Sequence, residues 1–332
     1  MAGVMEPKSR IVGVGAYAPD TVITNHELER LVDTSDAWIR ERTGIRERRI
    51  AEDGEATSDM AYQASTRALD AAGIEASDLD MIIVATVTPD MQLPATAAFL
   101  QRKLGAGMIP SFDIGAACAG FIYALAIGDQ FIRSGTLRHV LVVGAELLTR
   151  VMNWQDRTTC VLFGDGAGAF VLGPAGGDGR GLLTAVMQTD ASMTDSLCVP
   201  SGGSREPLTA ASLAEQRNKV SMAGQEIFRV AVRHLTAASR EAIEKAGLLP
   251  SQIDWVVPHQ ANLRILTQLS QRLEIPMDRF IVNIDRYGNT SSASVPLALD
   301  EGMKDGRIKP GDTILMCALG AGLSWASAVL RV

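Results

Sequence analysis

Apolar and polar positions along the chain alternate between two rhythms. Short apolar runs of strand length, such as Ile11 to Val14, Met81 to Val84, Val140 to Val143, Ile253 to Pro258 and Thr313 to Cys317, are separated by longer stretches with helical spacing. Gly and Pro punctuate the joints. A run of 4–8 apolar residues between turn signals reads as a buried strand, and mixed strands and helices of this kind predict an α/β layered protein. The stretch 72–84 (Ala-Gly-Ile-Glu-Ala-Ser-Asp-Leu-Asp-Met-Ile-Ile-Val) has a counterpart at 246–258 (Ala-Gly-Leu-Leu-Pro-Ser-Gln-Ile-Asp-Trp-Val-Val-Pro). Each reads as a helix end, a Gly stop, a turn, an Asp and a strand. The offset is 174 residues, from 72 to 246. Val140-Leu141-Val142-Val143-Gly144 and Thr313-Ile314-Leu315-Met316-Cys317 match in the same order at nearly that offset. The chain is therefore expected to be duplicated, with halves 1–174 and 175–332 meeting in the loop-like Pro174-Ala175-Gly176-Gly177-Asp178-Gly179.

Composition narrows the function. The 332 residues are 47% hydrophobic and 21% charged, with 31 Gly and only 5% aromatics. That suits a tightly packed globular protein and excludes a disordered one. A net charge of −7 argues against nucleic acid as the main partner. No apolar run is long enough to span a membrane and no signal peptide is evident, so a cytoplasmic protein is expected. The cysteines at 118, 160, 198 and 317 form no Cys-x-x-Cys pair and have no His at zinc-ligand spacing. They read as free thiols, without disulfide or metal.

Cys118 stands out among them. It lies where the strand-like Ser111-Phe112-Asp113-Ile114 passes through small residues into a helical pattern ending near Ser134. A thiol at a helix start meets free N–H groups and the positive dipole end, so a lowered pKa and nucleophilic character are expected. Of the four histidines, His26, His139 and His234 read as structural. His259 follows an apolar strand, at the edge where α/β sheets gather functional groups. Asn289, in Tyr287-Gly288-Asn289-Thr290-Ser291-Ser292-Ala293-Ser294, reads as a turn with a helix cap, or as an amide that donates to an oxyanion. Trp38 with Arg40, Arg42, Arg46, Arg48 and Arg49 reads as a solvated charged face, or as a place where a base stacks and phosphates bind. Gly13-Val14-Gly15-Ala16-Tyr17-Ala18 mimics a dinucleotide fingerprint, but Pro19 and Asp20 leave no helix start for a pyrophosphate.

Four motifs carry a resemblance to a known family: Trp38-Ile39-Arg40-Glu41-Arg42-Thr43-Gly44-Ile45, Ala116-Ala117-Cys118-Ala119-Gly120-Phe121, His259-Gln260-Ala261-Asn262 and Gly288-Asn289-Thr290-Ser291-Ser292-Ala293-Ser294. In order and spacing the chain resembles, from end to end, the β-ketoacyl-acyl-carrier-protein synthase III family, which initiates bacterial fatty-acid synthesis. The resemblance implies a thiolase-like fold, two α/β halves in a five-layer αβαβα arrangement, and a homodimer. It implies ping-pong transfer of an acyl group from acyl-coenzyme A to Cys118, then decarboxylative condensation with malonyl-acyl-carrier protein. No cofactor would be bound permanently.

By the same resemblance, His259 and Asn289 hydrogen-bond the malonyl thioester oxygen. The backbone N–H groups of Cys118 and Ala321 form the second oxyanion hole. Trp38 and Arg157 hold the coenzyme A adenine, Arg42 meets phosphate, and Asn262 meets the pantetheine arm. Arg229 and Arg264 dock the acidic carrier protein. Leu93 stands where a Phe often closes the acyl pocket across the dimer, so longer or branched primers are expected. Leu319 also replaces a frequent Phe. Ala321 replaces a frequent Gly, where a strained φ would cost more with a side chain. Three alternatives remain: a related enzyme of secondary metabolism with another acceptor, a Cys-His-Asn thioester hydrolase, and a scaffold that kept the fold without catalysis.

Overall fold

The computed structural model describes residues 6–332. Two sheets form its centre. The first contains β1 (Ser9–Tyr17), β2 (Met81–Ala85), β3 (Ser111–Ile114), β4 (Val140–Glu146) and β5 (Gly166–Pro174), in spatial order β1-β5-β4-β2-β3. The second contains β6 (Gly181–Thr189), β7 (Trp255–Pro258), β8 (Thr313–Gly320) and β9 (Ser324–Arg331), in order β6-β9-β8-β7. Directions repeat as well. β1 and β4 run antiparallel to β5, and β2 runs parallel to β4. Likewise β6 and β8 run antiparallel to β9, and β7 runs parallel to β8.

Alternation along the strands sorts side chains into layers, because successive residues face opposite sides of a sheet. Ile82, Val84, Leu141 and Val143 pack outward against helices α2 (Thr57–Ala72) and α3 (Thr96–Leu104), through Met60, Ala61, Ala64, Ala68 and Leu100. Ile83, Val142 and Phe170 face inward to α4 (Gly120–Arg133) and α7 (Ser294–Lys304). Ile314, Met316, Ala326 and Ala328 of the second sheet meet the same two helices from the other side. On the far face, Val256, Leu315, Cys317 and Val329 pack against α5 (Gly224–Lys245) and α6 (Leu263–Leu273). The result is five layers, αβαβα. α4 and α7 lie between two sheets, which explains why they are apolar nearly all round.

The glycine pattern in β1 has a packing cause. A Cβ on Gly13 would fall 2.1 Å from the Ala68 carbonyl oxygen, and one on Gly15 2.3 Å from that of Ala64. The two glycines let α2 lie directly on the strand. They serve helix packing, as the rejected fingerprint reading requires.

The repeat extends to an unusual backbone turn. Ala117 (φ 45°) precedes Cys118 at the start of α4, and Ser291 (φ 49°) precedes Ser292 at the start of α7. Side chains at positive φ cost on the order of 1–3 kcal/mol, and such strain persists where the surroundings hold it. Both turns bring their helix starts to the molecular centre.

Candidate active site

Three backbones deliver three side chains to one cavity. Cys118 sits in the single 3-10 turn Ala117–Ala119 that leads into α4, and is almost fully buried. His259 follows β7, its N–H donating to the Cys317 carbonyl (2.7 Å). Asn289 is tied on both sides of Phe163: its N–H donates to Leu162 (2.8 Å), and its carbonyl accepts from Gly164 (3.0 Å). The Asn289 Oδ1 accepts from the Ser291 N–H (2.9 Å). That leaves the side-chain NH2 as the group free for another partner, as an oxyanion donor requires. Asn289 thus caps the turn through its oxygen and keeps its amide free to donate.

Cys118, His259 and Asn289 line a cavity of about 540 Å³. Its walls are largely apolar, from Phe163, Ile227, Phe228, Ala231, Ile265 and Leu319. Trp38 and the exposed Arg42, both on α1 (Asp36–Thr43), stand at its mouth with the exposed Arg264. Arg42 and Arg157 lie over the Trp38 ring, 4.9 and 5.5 Å from its centroid. Arg157 also donates to the Asp33 carbonyl (2.8 Å). Asn262 lines the cavity but is engaged at both ends. Its Oδ1 caps α6 at the Arg264 N–H (2.9 Å), and its Nδ2 donates to the Arg42 carbonyl (3.0 Å). One amide hydrogen is left for a ligand.

Other residues stand apart. Arg229 is exposed on α5, next to Phe228, and its side chain reaches only the Gln225 carbonyl of its own helix. Leu93 is 84% exposed and lies outside this cavity. Leu319 and Gly320 form the wall that Ala321 follows. The expected strain at Ala321 is not there. The positive φ falls on Gly322 (129°), a residue without a side chain.

Electrostatics correct one expectation. Cys118 does stand at a helix start, but burial pushes its thiol up to about 12, and the nearby Glu146 carboxylate adds to this. The Ser291 hydroxyl opposes both. At neutral pH the resting sulfur is a thiol, because desolvation outweighs the helix end. Burial also pushes His259 down to about 3, so its imidazole is neutral. Its Nδ1 lies 2.6 Å from the Ser294 Oγ, which is 2.8 Å from the Ser291 carbonyl. With its hydrogen on that carbonyl, Ser294 accepts from Nδ1–H and leaves a lone pair on Nε2. With its hydrogen turned to Nδ1, Nε2 carries the proton and becomes a neutral donor.

Sequence reasoning missed Ser294 and Glu146. Glu146 ends β4 fully buried, and accepts from the Val87 N–H (3.0 Å), Thr88 Oγ1 (2.8 Å), Ser291 Oγ (3.0 Å) and Ser292 Oγ (3.0 Å). The available signal was an acid inside the apolar run Val140 to Leu148.

A buried thiol at a helix start, with a neutral imidazole and a free carboxamide beside it in an apolar cavity, is the equipment of a condensing enzyme of thiolase-like fold. Two family models match the chain, 3-oxoacyl-[acyl-carrier-protein (ACP)] synthase III over residues 112–191 and its C-terminal part over residues 243–332. The β-ketoacyl-[acyl-carrier-protein] synthase III of Caldanaerobacter subterraneus subsp. tengcongensis is 50% identical, over 97% of each chain. The crystal structure of the Aquifex aeolicus VF5 3-oxoacyl-[acyl-carrier-protein] synthase III superposes with a TM-score of 0.90 at 46% identity, covering 98% of this chain and 100% of that one. The priming β-ketosynthase of the R1128 polyketide pathway gives 0.89 at 38%, covering 99% and 98%. The chain belongs to the β-ketoacyl-acyl-carrier-protein synthase III family.

Proposed function

We propose that this enzyme transfers an acyl group from acyl-coenzyme A to Cys118 and condenses it with malonyl-acyl-carrier protein, releasing carbon dioxide and β-ketoacyl-acyl-carrier protein. The observation that carries this is the meeting of Cys118, His259 and Asn289 in one apolar cavity. The Cys118 sulfur attacks the thioester carbonyl. The tetrahedral oxyanion is held by the backbone N–H groups of Cys118 and Ala321, and coenzyme A leaves. The malonyl thioester then enters. His259, in its Nε2–H form, and the Asn289 amide donate to the thioester oxygen while carbon dioxide departs. The enolate attacks the acyl-Cys carbonyl. Neutral donors suit this step: they stabilise developing negative charge without holding the substrate carboxylate in place as a cation would.

The mouth supports the substrate reading. Trp38 and Arg157 hold the adenine, Arg42 a phosphate and Asn262 the pantetheine arm. Arg229 and Arg264 dock the carrier protein. Among the described residues Arg42, Arg229 and Arg264 form no ion pair, so their charge is available in a chain of net charge −7. The chain is read as halves 1–174 and 175–332, each giving one sheet. A homodimer accounts for the free edge of β3 beside exposed Val87, Met91, Leu93 and Met108. Leu93 would then enter the partner's acyl pocket. Among the described residues no helix is long and apolar enough to cross a membrane, and a cytoplasmic enzyme without a resident cofactor is proposed. The R1128 neighbour favours a second reading, priming of a polyketide pathway by the same chemistry.

The test is product analysis with and without malonyl-acyl-carrier protein. A β-ketoacyl product that requires the malonyl partner is expected. Free fatty acid formed at the same rate without it would make the protein a thioester hydrolase.

A further inference from the structure

One arginine of the basic run after Trp38 departs from the others. Arg40, Arg42 and Arg46 are exposed and Arg49 is half-buried, but Arg48 is completely buried. Among the described residues no carboxylate pairs with it, and its guanidinium donates only to neutral oxygens. Burial pulls it down to about 10, so it stays charged at neutral pH. A buried cation without an anion destabilises a core relative to an apolar side chain of similar volume. What the guanidinium supplies is direction, a rigid fork of donors.

The fork joins two parts of the site. Arg48 lies in the short strand Glu47–Arg49, opposite Ile23. Its Nη1 donates to the Ile23 carbonyl (3.1 Å) and to Asn25 Oδ1 (2.9 Å). Asn25 is itself buried, and its Nδ2 donates to Asp36 Oδ1 (2.9 Å) and to the Ile45 carbonyl (2.8 Å). Asp36 opens α1 and Ile45 lies two residues past its end, so this side of the fork rests on a fixed frame. On the other side Nη2 reaches across to the Val161 carbonyl (2.9 Å). Val161 precedes the segment that grips Asn289, where the Leu162 carbonyl accepts from the Asn289 N–H and the Gly164 N–H donates to the Asn289 carbonyl. The Arg48 stem continues the contact. A Cβ on Gly164 would fall 3.1 Å from the Arg48 Cβ, and one on Gly288 3.4 Å from it. Those two glycines flank the bridge between Phe163 and Asn289.

We propose that Arg48 is a positioning residue that holds the Asn289 amide where it donates to the malonyl thioester oxygen. The inference rests on the reading of Asn289 as that donor and names what keeps it in place. Arg48 lies outside the cavity and acts through Val161 to Gly164. Its effect is therefore confined to one step. Decarboxylation uses the Asn289 amide, whose backbone the fork anchors. Acylation uses the Cys118 sulfur and the N–H groups of Cys118 and Ala321, whose turn is packed against Gly320 at the end of β8 and not against the Arg48 strand.

The experiment measures two single-turnover rates in each enzyme. One is Cys118 acylation at saturating acyl-coenzyme A, by rapid quench and intact mass. The other is carbon dioxide release when the acylated enzyme meets malonyl-acyl-carrier protein. In Arg48→Met, release is expected to fall by on the order of 10²-fold, the effect of a misplaced group, with acylation within about twofold of wild type. Arg48→Lys keeps the charge and offers one nitrogen for the two of the fork. It guards against loss of folding in Arg48→Met, and should slow release by about tenfold, the value of one charge-assisted hydrogen bond. Both are then combined with Asn289→Ala, which alone removes an oxyanion donor and lowers release by about 10²–10³-fold. A residue that acts through Asn289 has nothing further to lose in that background, so the double variants should match Asn289→Ala within about twofold. Equal losses in both steps, or losses that multiply in the double variants, would make Arg48 merely structural. Wild-type release in Arg48→Lys would also overturn the proposal. If Asn289→Ala itself releases carbon dioxide at the wild-type rate, the underlying reading of the amide fails, and the inference falls with it.

Discussion

Gly320→Ala isolates the geometry that the chemistry depends on. Gly320 ends β8 with φ −138° and ψ −171°, extended values that alanine adopts freely. The substitution therefore adds no backbone strain, only a methyl group. That Cβ would fall 2.4 Å from the Cys118 nitrogen and 2.8 Å from the Ala117 Cβ. Carbon contacts settle near 3.5–4.0 Å, so the turn carrying the nucleophile must retreat by about 1 Å. No flexible side chain is available to yield, because the nearest atoms belong to the turn backbone. Overpacking of this kind costs roughly 1–3 kcal/mol of stability. The larger effect is on rate. The methyl covers the Cys118 N–H, one of the two proposed oxyanion donors, and about 1 Å of misplacement alone costs on the order of 10²-fold. Stopped-flow acylation by acyl-coenzyme A, beside a thermal melt, checks both. The expected outcome is a folded protein with a melting point lower by a few degrees and an acylation rate at least 100-fold lower. Wild-type acylation in a folded Gly320→Ala enzyme would refute the placement of the nucleophile against β8.

Four further outcomes follow. His259 is pushed down to about 3, below its ordinary 6.5, so the folded enzyme gains no imidazole proton between pH 8 and 5. Malonyl decarboxylation should show no imidazole titration there, while stability declines below pH 6.5 as only the unfolded chain takes up that proton; an inflection near 6.5 that His259→Gln abolishes would contradict this. Ser294→Ala should slow decarboxylation by about tenfold, about 1.4 kcal/mol for a neutral hydrogen bond, and leave Cys118 acylation nearly unchanged; equal loss in both steps would show a merely structural serine. Trp38→Ala should raise the KM for acyl-coenzyme A by about tenfold with kcat kept, from loss of a stacking surface, and an unchanged KM would remove Trp38 from the substrate path. Leu93 predicts turnover of branched or longer acyl-coenzyme As, narrowed by Leu93→Phe; turnover confined to acetyl-coenzyme A across a chain-length panel would refute it.

Much of the architecture was legible because burial leaves a periodic trace. The matched stretches 72–84 and 246–258 end in strands β2 and β7, which hold equivalent places in the two sheets. Cys118 and His259 were readable for a related reason: each stands just beyond a strand, where chain direction alone points to the active edge. The matching turns at Ala117 and Ser291 were not legible. Their common positive φ is imposed by tertiary packing, and Ala and Ser share no local signature for it. The thiol's ionisation was misjudged because helix position can be read from sequence but desolvation cannot. Glu146 was overlooked because its donors come from Val87, Thr88, Ser291 and Ser292, which only the fold gathers.

The proposed chemistry requires a covalent acyl group on one sulfur, that of Cys118. Intact-protein mass spectrometry after incubation with mixed acyl-coenzyme As tests it most directly. A single adduct of acyl mass is expected, lost in Cys118→Ala and discharged on adding malonyl-acyl-carrier protein. An unmodified wild-type mass, or an adduct that persists in Cys118→Ala, would contradict it.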